Sequence, residues 1–127
     1  MKDDLLTKDS EQEVHSRIEA ADVFVFVITP SSLSSERCLA ELSYAVKHHK
    51  TLVPVLRKDV DVLPQNLSEQ ATIAFRHNDN LDQAFDAFMK AIEADVAIDA
   101  FISYSRADEK FAFALHEAFK ASREKAG

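Results

Sequence analysis

Between Glu11 and Asp22 the apolar residues Val14, Ile18 and Ala21 fall at i, i+4 and i+7, which predicts one face of an amphipathic helix packed on a flat surface. The next run, Val23-Phe24-Val25-Phe26-Val27-Ile28, is unbroken β-branched and aromatic, the pattern of a strand covered on both faces. Pro30-Ser31-Ser32 then supplies a turn, and Ser34 or Ser35 is placed to cap a helix whose buried positions are Cys38, Leu42, Ala45 and Val46. His48, His49 and Lys50 close that helix, where cations meet the negative end of its dipole. Thr51 to Leu56 reads as a second buried strand, made irregular by Pro54, which cannot donate a ladder hydrogen bond. The polar stretch Arg57 to Gln70, with Pro64, predicts a connection holding at most a short helix, followed by a brief strand at Thr72 to Phe75.

Leu81, Phe85, Phe88, Met89 and Ile92 share one helical face, with Asn80 as the cap. Val96 to Tyr104, with Ala100-Phe101-Ile102 at its centre, is a fourth strand; Ser105 or Asp108 then caps a last helix with Phe111, Leu115, Ala118 and Phe119 inward. Strands separated by helix-length crossovers make a parallel sheet flanked by helices on both faces, an α/β protein.

Composition narrows the functions open to such a sheet. The 127 residues fit one domain and bury a real core without metals or disulfides; the lone Cys38 has no internal partner and sits at an apolar helix position. Fifteen basic against twenty-two acidic residues give a net charge of −7, which repels nucleic acid and anionic lipid. No apolar run approaches the ~20 residues of a membrane span, and Met1-Lys2-Asp3-Asp4 does not open a signal peptide, so the expected location is cytoplasmic. The only glycine is Gly127, so a glycine-rich phosphate loop cannot be built. His15, His48, His49, His77 and His116 lack zinc-ligand spacing, and no metal is expected.

Asp99-Ala100-Phe101-Ile102-Ser103-Tyr104-Ser105-Arg106-Ala107-Asp108 and the helix after it resemble the opening strand, loop and helix of a TIR domain (Toll/interleukin-1 receptor/resistance protein) of the bacterial type. The stretch Ile18 to Leu33, the block Cys38-Leu39-Ala40-Glu41-Leu42 and the stretch Lys50 to Val55 resemble that family's middle blocks in their usual spacing. The order is rotated: residues 1–95 resemble the middle and end of a TIR domain, residues 96–127 its opening strand and helix, together one TIR-like domain over 1–127. The resemblance implies a flavodoxin-like fold from which the second strand, about five residues by usual strand lengths, is missing. Either the domain is circularly permuted, or the chain spans the middle of one TIR domain and the start of the next. The strand Val96–Tyr104 then pairs beside Val23–Ile28 in its own chain or swaps into a neighbouring one.

In a flavodoxin-like sheet a ligand crevice opens at the carboxyl ends of the strands that flank the switch point, here Tyr104-Ser105-Arg106 and Thr29-Pro30-Ser31. TIR enzymes that cleave NAD+ use the glutamate of the Cys-Leu-x-Glu-Leu block, which the resemblance places at Glu41. Breaking the nicotinamide–ribose bond builds oxocarbenium-like charge while the pyridinium departs neutral, so one carboxylate suffices. Ser103, Tyr104, Ser105, Arg106, Thr29, Ser31 and Arg37 are the candidate substrate-binding residues, with NAD+ as substrate and no resident cofactor. Arg37 stands where many NAD-cleaving members carry Trp, and it suits a phosphate or Glu41 itself. Asp3 and Asp4 resemble acids of the loop that mediates assembly in the family.

Each of these residues also has a plainer explanation. Glu41 is a solvated glutamate paired with Arg37 one turn away, Ser105 a helix cap, Tyr104 a strand end and Cys38 a core residue. The resemblance therefore implies one of two functions: an NAD+ hydrolase or cyclase active on self-assembly in immune or stress signalling, or a non-catalytic adaptor that binds other TIR domains. The same fold serves both.

Overall fold

The computed structural model describes residues 11–76, 78–92 and 99–126. Asp3, Asp4, His77 and residues 96–98 of the expected fourth strand lie outside them. In chain order the elements are α1 (Glu11–Ala20), β1 (Val23–Ile28), the single turn α2 (Pro30–Leu33), α3 (Glu36–Lys47), β2 (Thr51–Leu56), α4 (Gln65–Ser68), β3 (Ile73–Ala74), α5 (Leu81–Ala91), β4 (Ala100–Ser103), a 3-10 turn (Arg106–Asp108) and α6 (Glu109–Ala126). The four strands form one parallel sheet in the order β3-β2-β1-β4. Here β4 pairs with β1 of its own chain, Val23 opposite Ala100 through Phe26 opposite Ser103.

Alternation along β1 feeds two cores. Val23 and Val25 pack with Val53, Val55, Phe88, Ile92, Leu115 and Phe119 on the α5–α6 face. Phe24, Phe26 and Ile28 pack with Ile18, Cys38, Leu42, Ala45 and Leu67 on the α1–α3 face. All six residues of β1 are buried, as a central parallel strand requires. Phe75 sits edge-on to Phe85, Phe88 and Phe111, joining the end of β3 to both helices.

Several local expectations change. Pro54 does not disturb β2, which runs unbroken from Thr51 to Leu56. The Leu56 carbonyl accepts from Phe75 N–H at 2.8 Å, so Leu56, and by alternation Pro54, points toward β3. That strand begins only opposite Val55, so no β3 residue faces the missing N–H of Pro54. Val46 is 36% and Leu81 42% exposed instead of buried, and Ala84 takes the inward place in α5. In α6, Ala112 is fully inward while Phe111 and Ala118 are half-buried.

Ser35, of the two candidate serines, caps α3, its Oγ accepting from Cys38 N–H at 3.2 Å; Asn80 does the same for α5 toward Gln83 N–H at 3.1 Å. At the other end of α3, His49 has φ 57°, its N–H donates to Val46 O at 3.0 Å, and Lys50 N–H donates to Ala45 O at 3.0 Å. This pair of bonds is a Schellman motif, whose left-handed residue is usually glycine because a Cβ there crowds the carbonyl. We expect His49→Gly to raise stability by about 1 kcal/mol, read as a higher urea midpoint at unchanged slope. Lys50 itself serves α1, its Nζ donating to the carbonyls of Glu19 at 2.7 Å and Ala21 at 2.8 Å.

Candidate functional site

Glu41 sits one helical turn after Arg37 on the face of α3 turned toward the carboxyl end of β4, and only 5% of it is exposed. The solvated-glutamate alternative therefore does not hold: the pairing with Arg37 is present, but the carboxylate is inside. Its Oε1 accepts from Ser103 Oγ at 2.9 Å and its Oε2 from Arg37 Nη1 at 3.1 Å. Arg37 Nη2 donates to the Tyr104 carbonyl at 2.7 Å, so one guanidinium ties α3 to the residue that follows β4. A buried carboxylate without such donors would be strongly disfavoured, and charge-assisted bonds on both oxygens make its burial tolerable.

A second buried cluster adjoins the first. Asp108 Oδ2 accepts from Thr29 Oγ1 at 2.6 Å and from Ser105 Oγ at 2.8 Å, joining the segments after β1 and β4. Thr29 is also the N-cap of α2, its Oγ1 accepting from Ser32 N–H at 3.1 Å while Ser32 Oγ accepts from Thr29 N–H at 3.0 Å. Ser105 stands at the N-cap of the 3-10 turn without a side-chain cap bond, because its hydroxyl goes to Asp108. Pattern reading gave Asp108 only a capping role; the Ser105-x-x-Asp108 spacing, a helix-start signature, was the signal for its pairing with Ser105. Nothing in the sequence pointed to Thr29 as its other partner, seventy-nine residues away.

A cleft of about 440 Å³ runs along β4. Arg37, Glu41 and Tyr104 line one end, while α1 and α6 form its sides. Burial, followed by the negative charge of Glu109, pushes the Tyr104 phenol above its ordinary value, so it stays protonated at neutral pH. The structure thus brings together Glu41, Ser103, Arg37 and Tyr104 in one cluster, and Thr29 with Ser105 in the next. Ser31 and Arg106 are exposed. Of the cleft walls, Val14 was expected only as part of the packed face of α1, and Ala20, Ala112 and Phe113 were not singled out from the sequence.

Cys38 is fully buried between α3 and the sheet, and burial pushes its thiol above the usual range. We expect a thiol-reactive dye to label it more than tenfold slower in the native protein than in urea, as its zero exposure dictates. Among the described residues no group of His, Cys, Asp and Glu has the arrangement to hold a metal ion, and no helix is long and apolar enough to cross a membrane.

The fold and the buried carboxylate at its carboxyl-end crevice define a doubly wound parallel α/β protein with a flavodoxin-like strand succession. Compared with known families, the chain matches the TIR domain over residues 2–89. It belongs to the TIR domain family. The match takes in β1 to β3 and most of α5, whereas β4 and α6 follow it. Comparison with curated proteins and with solved structures returned no match.

Proposed function

We propose that this TIR domain cleaves the nicotinamide–ribose bond of NAD+, with Glu41 as the catalytic carboxylate. The observation that carries the reading is a 5%-exposed glutamate, held by Ser103 and Arg37, at the mouth of a cleft large enough to receive part of a nucleotide. As the C1′–N bond lengthens, its electron pair leaves with the pyridine nitrogen, which loses its positive charge. The ribose carbon gains the charge that Glu41 faces. Water adds to C1′ and releases a proton, giving ADP-ribose; attack by an adenine nitrogen instead gives a cyclic product.

Arg37 gives the site a second function. A pyrophosphate entering the cleft competes for the guanidinium that now binds Glu41 Oε2, and Ser103 continues to hold Oε1. Substrate thereby frees the oxygen that stabilises the oxocarbenium charge. The test is nicotinamide release from NAD+ by the purified chain at high protein concentration, with turnover expected.

One observation favours the adaptor reading: both oxygens of Glu41 are already engaged, and Arg37 is also bound to the Tyr104 carbonyl. If no nicotinamide is released at any protein concentration, this closed arrangement is the working state, and the domain acts in the cytoplasm by binding other TIR domains or copies of itself.

A further inference from the structure

The carboxyl ends of β2 and β3, on the far side of β1 from β4, carry an open pocket of about 600 Å³ lined by Arg57, Lys58, Asp59, Arg76 and Asn78. In a chain of net charge −7, three cations in one small pocket are a local reversal of sign. The backbone beneath them is fixed. Arg57 N–H and Lys58 N–H both donate to the Ile28 carbonyl, at 3.1 and 3.3 Å. On the other segment Asp79 N–H closes a turn on the Arg76 carbonyl at 2.9 Å, which sets Asn78 on the rim.

Arg57 is oriented without being neutralised. Its Nη1 donates to the Phe75 carbonyl at 2.9 Å, and its guanidinium lies 4.7 Å from the centre of the Phe111 ring on α6. Among the described residues its Nε and Nη2 have no hydrogen-bond partner, and neither Arg57 nor Lys58 has a carboxylate partner. A guanidinium held on two sides with its remaining donors open is preorganised for an anion. Arg76 is paired: its Nε and Nη2 donate to Asp79 at 3.0 and 3.3 Å, and its Nη1 to Asp59 at 3.0 Å. Asp79 also accepts from Arg76 N–H at 2.9 Å and so belongs to the turn, whereas Asp59 is 75% exposed at its side chain and holds Arg76 by one bond.

We propose that this pocket binds the dianionic phosphate group of a small phosphate monoester, which displaces Asp59 from Arg76. An exposed ion pair is a weak latch, so the displacement costs little. With Asp59 turned out to solvent, Arg57, Lys58 and Arg76 face the pocket against the single charge of Asp79, and the excess of positive charge matches a dianion. Three cationic heads and the Asn78 amide suit the three terminal oxygens of a phosphate, whereas a planar carboxylate offers only two. A nucleic acid fits poorly, because the net charge of −7 on the chain repels its further phosphates. The pocket shares no residue with the Glu41 cleft, so this inference is independent of NAD+ cleavage.

The test titrates methyl phosphate into the isotope-labelled whole chain at low ionic strength and follows the arginine Nε–H and Asn78 amide signals by NMR. The expected result is saturable shifts at Arg57 and Asn78 with a midpoint below about 5 mM, which sodium chloride at equal ionic strength does not reproduce. Dimethyl phosphate, a monoanion with two fewer charged oxygens to offer, should bind several-fold more weakly. Lys58→Ala, at an exposed side chain, should weaken binding roughly three- to fivefold, and Asp59→Asn should tighten it by a similar factor because the competing charge is gone. Opposite effects at two neighbouring exposed positions separate the site from any loss of fold. Arg37→Ala should leave the midpoint unchanged. Absence of saturation up to about 50 mM, equal binding of dimethyl phosphate, or no tightening by Asp59→Asn overturns the proposal. Binding lost in Arg37→Ala places the phosphate in the Glu41 cleft and overturns it as well.

Discussion

Glu41→Gln is expected to lower the kcat for nicotinamide release by about a hundredfold or more, with KM changed little. The amide matches the carboxylate in size, so Ser103 still has an oxygen to donate to, and the backbone of α3 is undisturbed. What disappears is the negative charge, which matters only once the C1′–N bond has stretched and the ribose is cationic. The ion pair to Arg37 is lost as well, yet Arg37 is 38% exposed at its side chain and is resolvated by water, so the fold survives. Circular dichroism and the melting midpoint, measured beside the assay, separate lost chemistry from lost structure. Turnover retained in the variant would assign Glu41 a purely structural role, that of anchoring Arg37 and Ser103 across the α3–β4 contact.

Asp108→Ala is expected to cost about 3 kcal/mol and to lower the melting midpoint by roughly 10 °C. Asp108 is 5% exposed, and Thr29 and Ser105 are 1% and 6% exposed, so both hydroxyls lose a buried acceptor that water does not replace. The cost is larger than that of an ordinary cap because a single oxygen holds the two segments between which the crevice opens. Asp108→Asn keeps an acceptor oxygen in place and should recover more than half of the loss. A midpoint within 2 °C of wild type for the alanine variant, a shift well under 1 kcal/mol for a chain of this size, would show that the loops are held by packing alone.

The candidate site shows which parts of such a protein can be read from its residues. Glu41 and Arg37 lie four apart on one helix, and their pairing follows from helical spacing alone. That the pair is inside depends on β4, which brings Ser103 from sixty-two positions away. The Asp108–Thr29 bond spans seventy-nine positions and is equally invisible to local pattern. Val46 and Leu81 satisfy the helical period but lie at the margins of their apolar faces, where contact depends on how far the neighbouring element reaches. His49 adopts a glycine conformation because the Schellman bonds at the end of α3 hold it there, a tertiary-free but low-propensity choice that composition does not reveal.

By itself the sequence determined the order of the elements, the parallel α/β class and the TIR resemblance, because these depend on short-range apolar period, capping residues and motif blocks. Only the tertiary structure decided that Glu41 is enclosed, that Asp108 joins two loops, and that β4 pairs with β1. Each of these depends on contacts between segments far apart in the chain, and local preference carries no information about which distant backbone a side chain will meet.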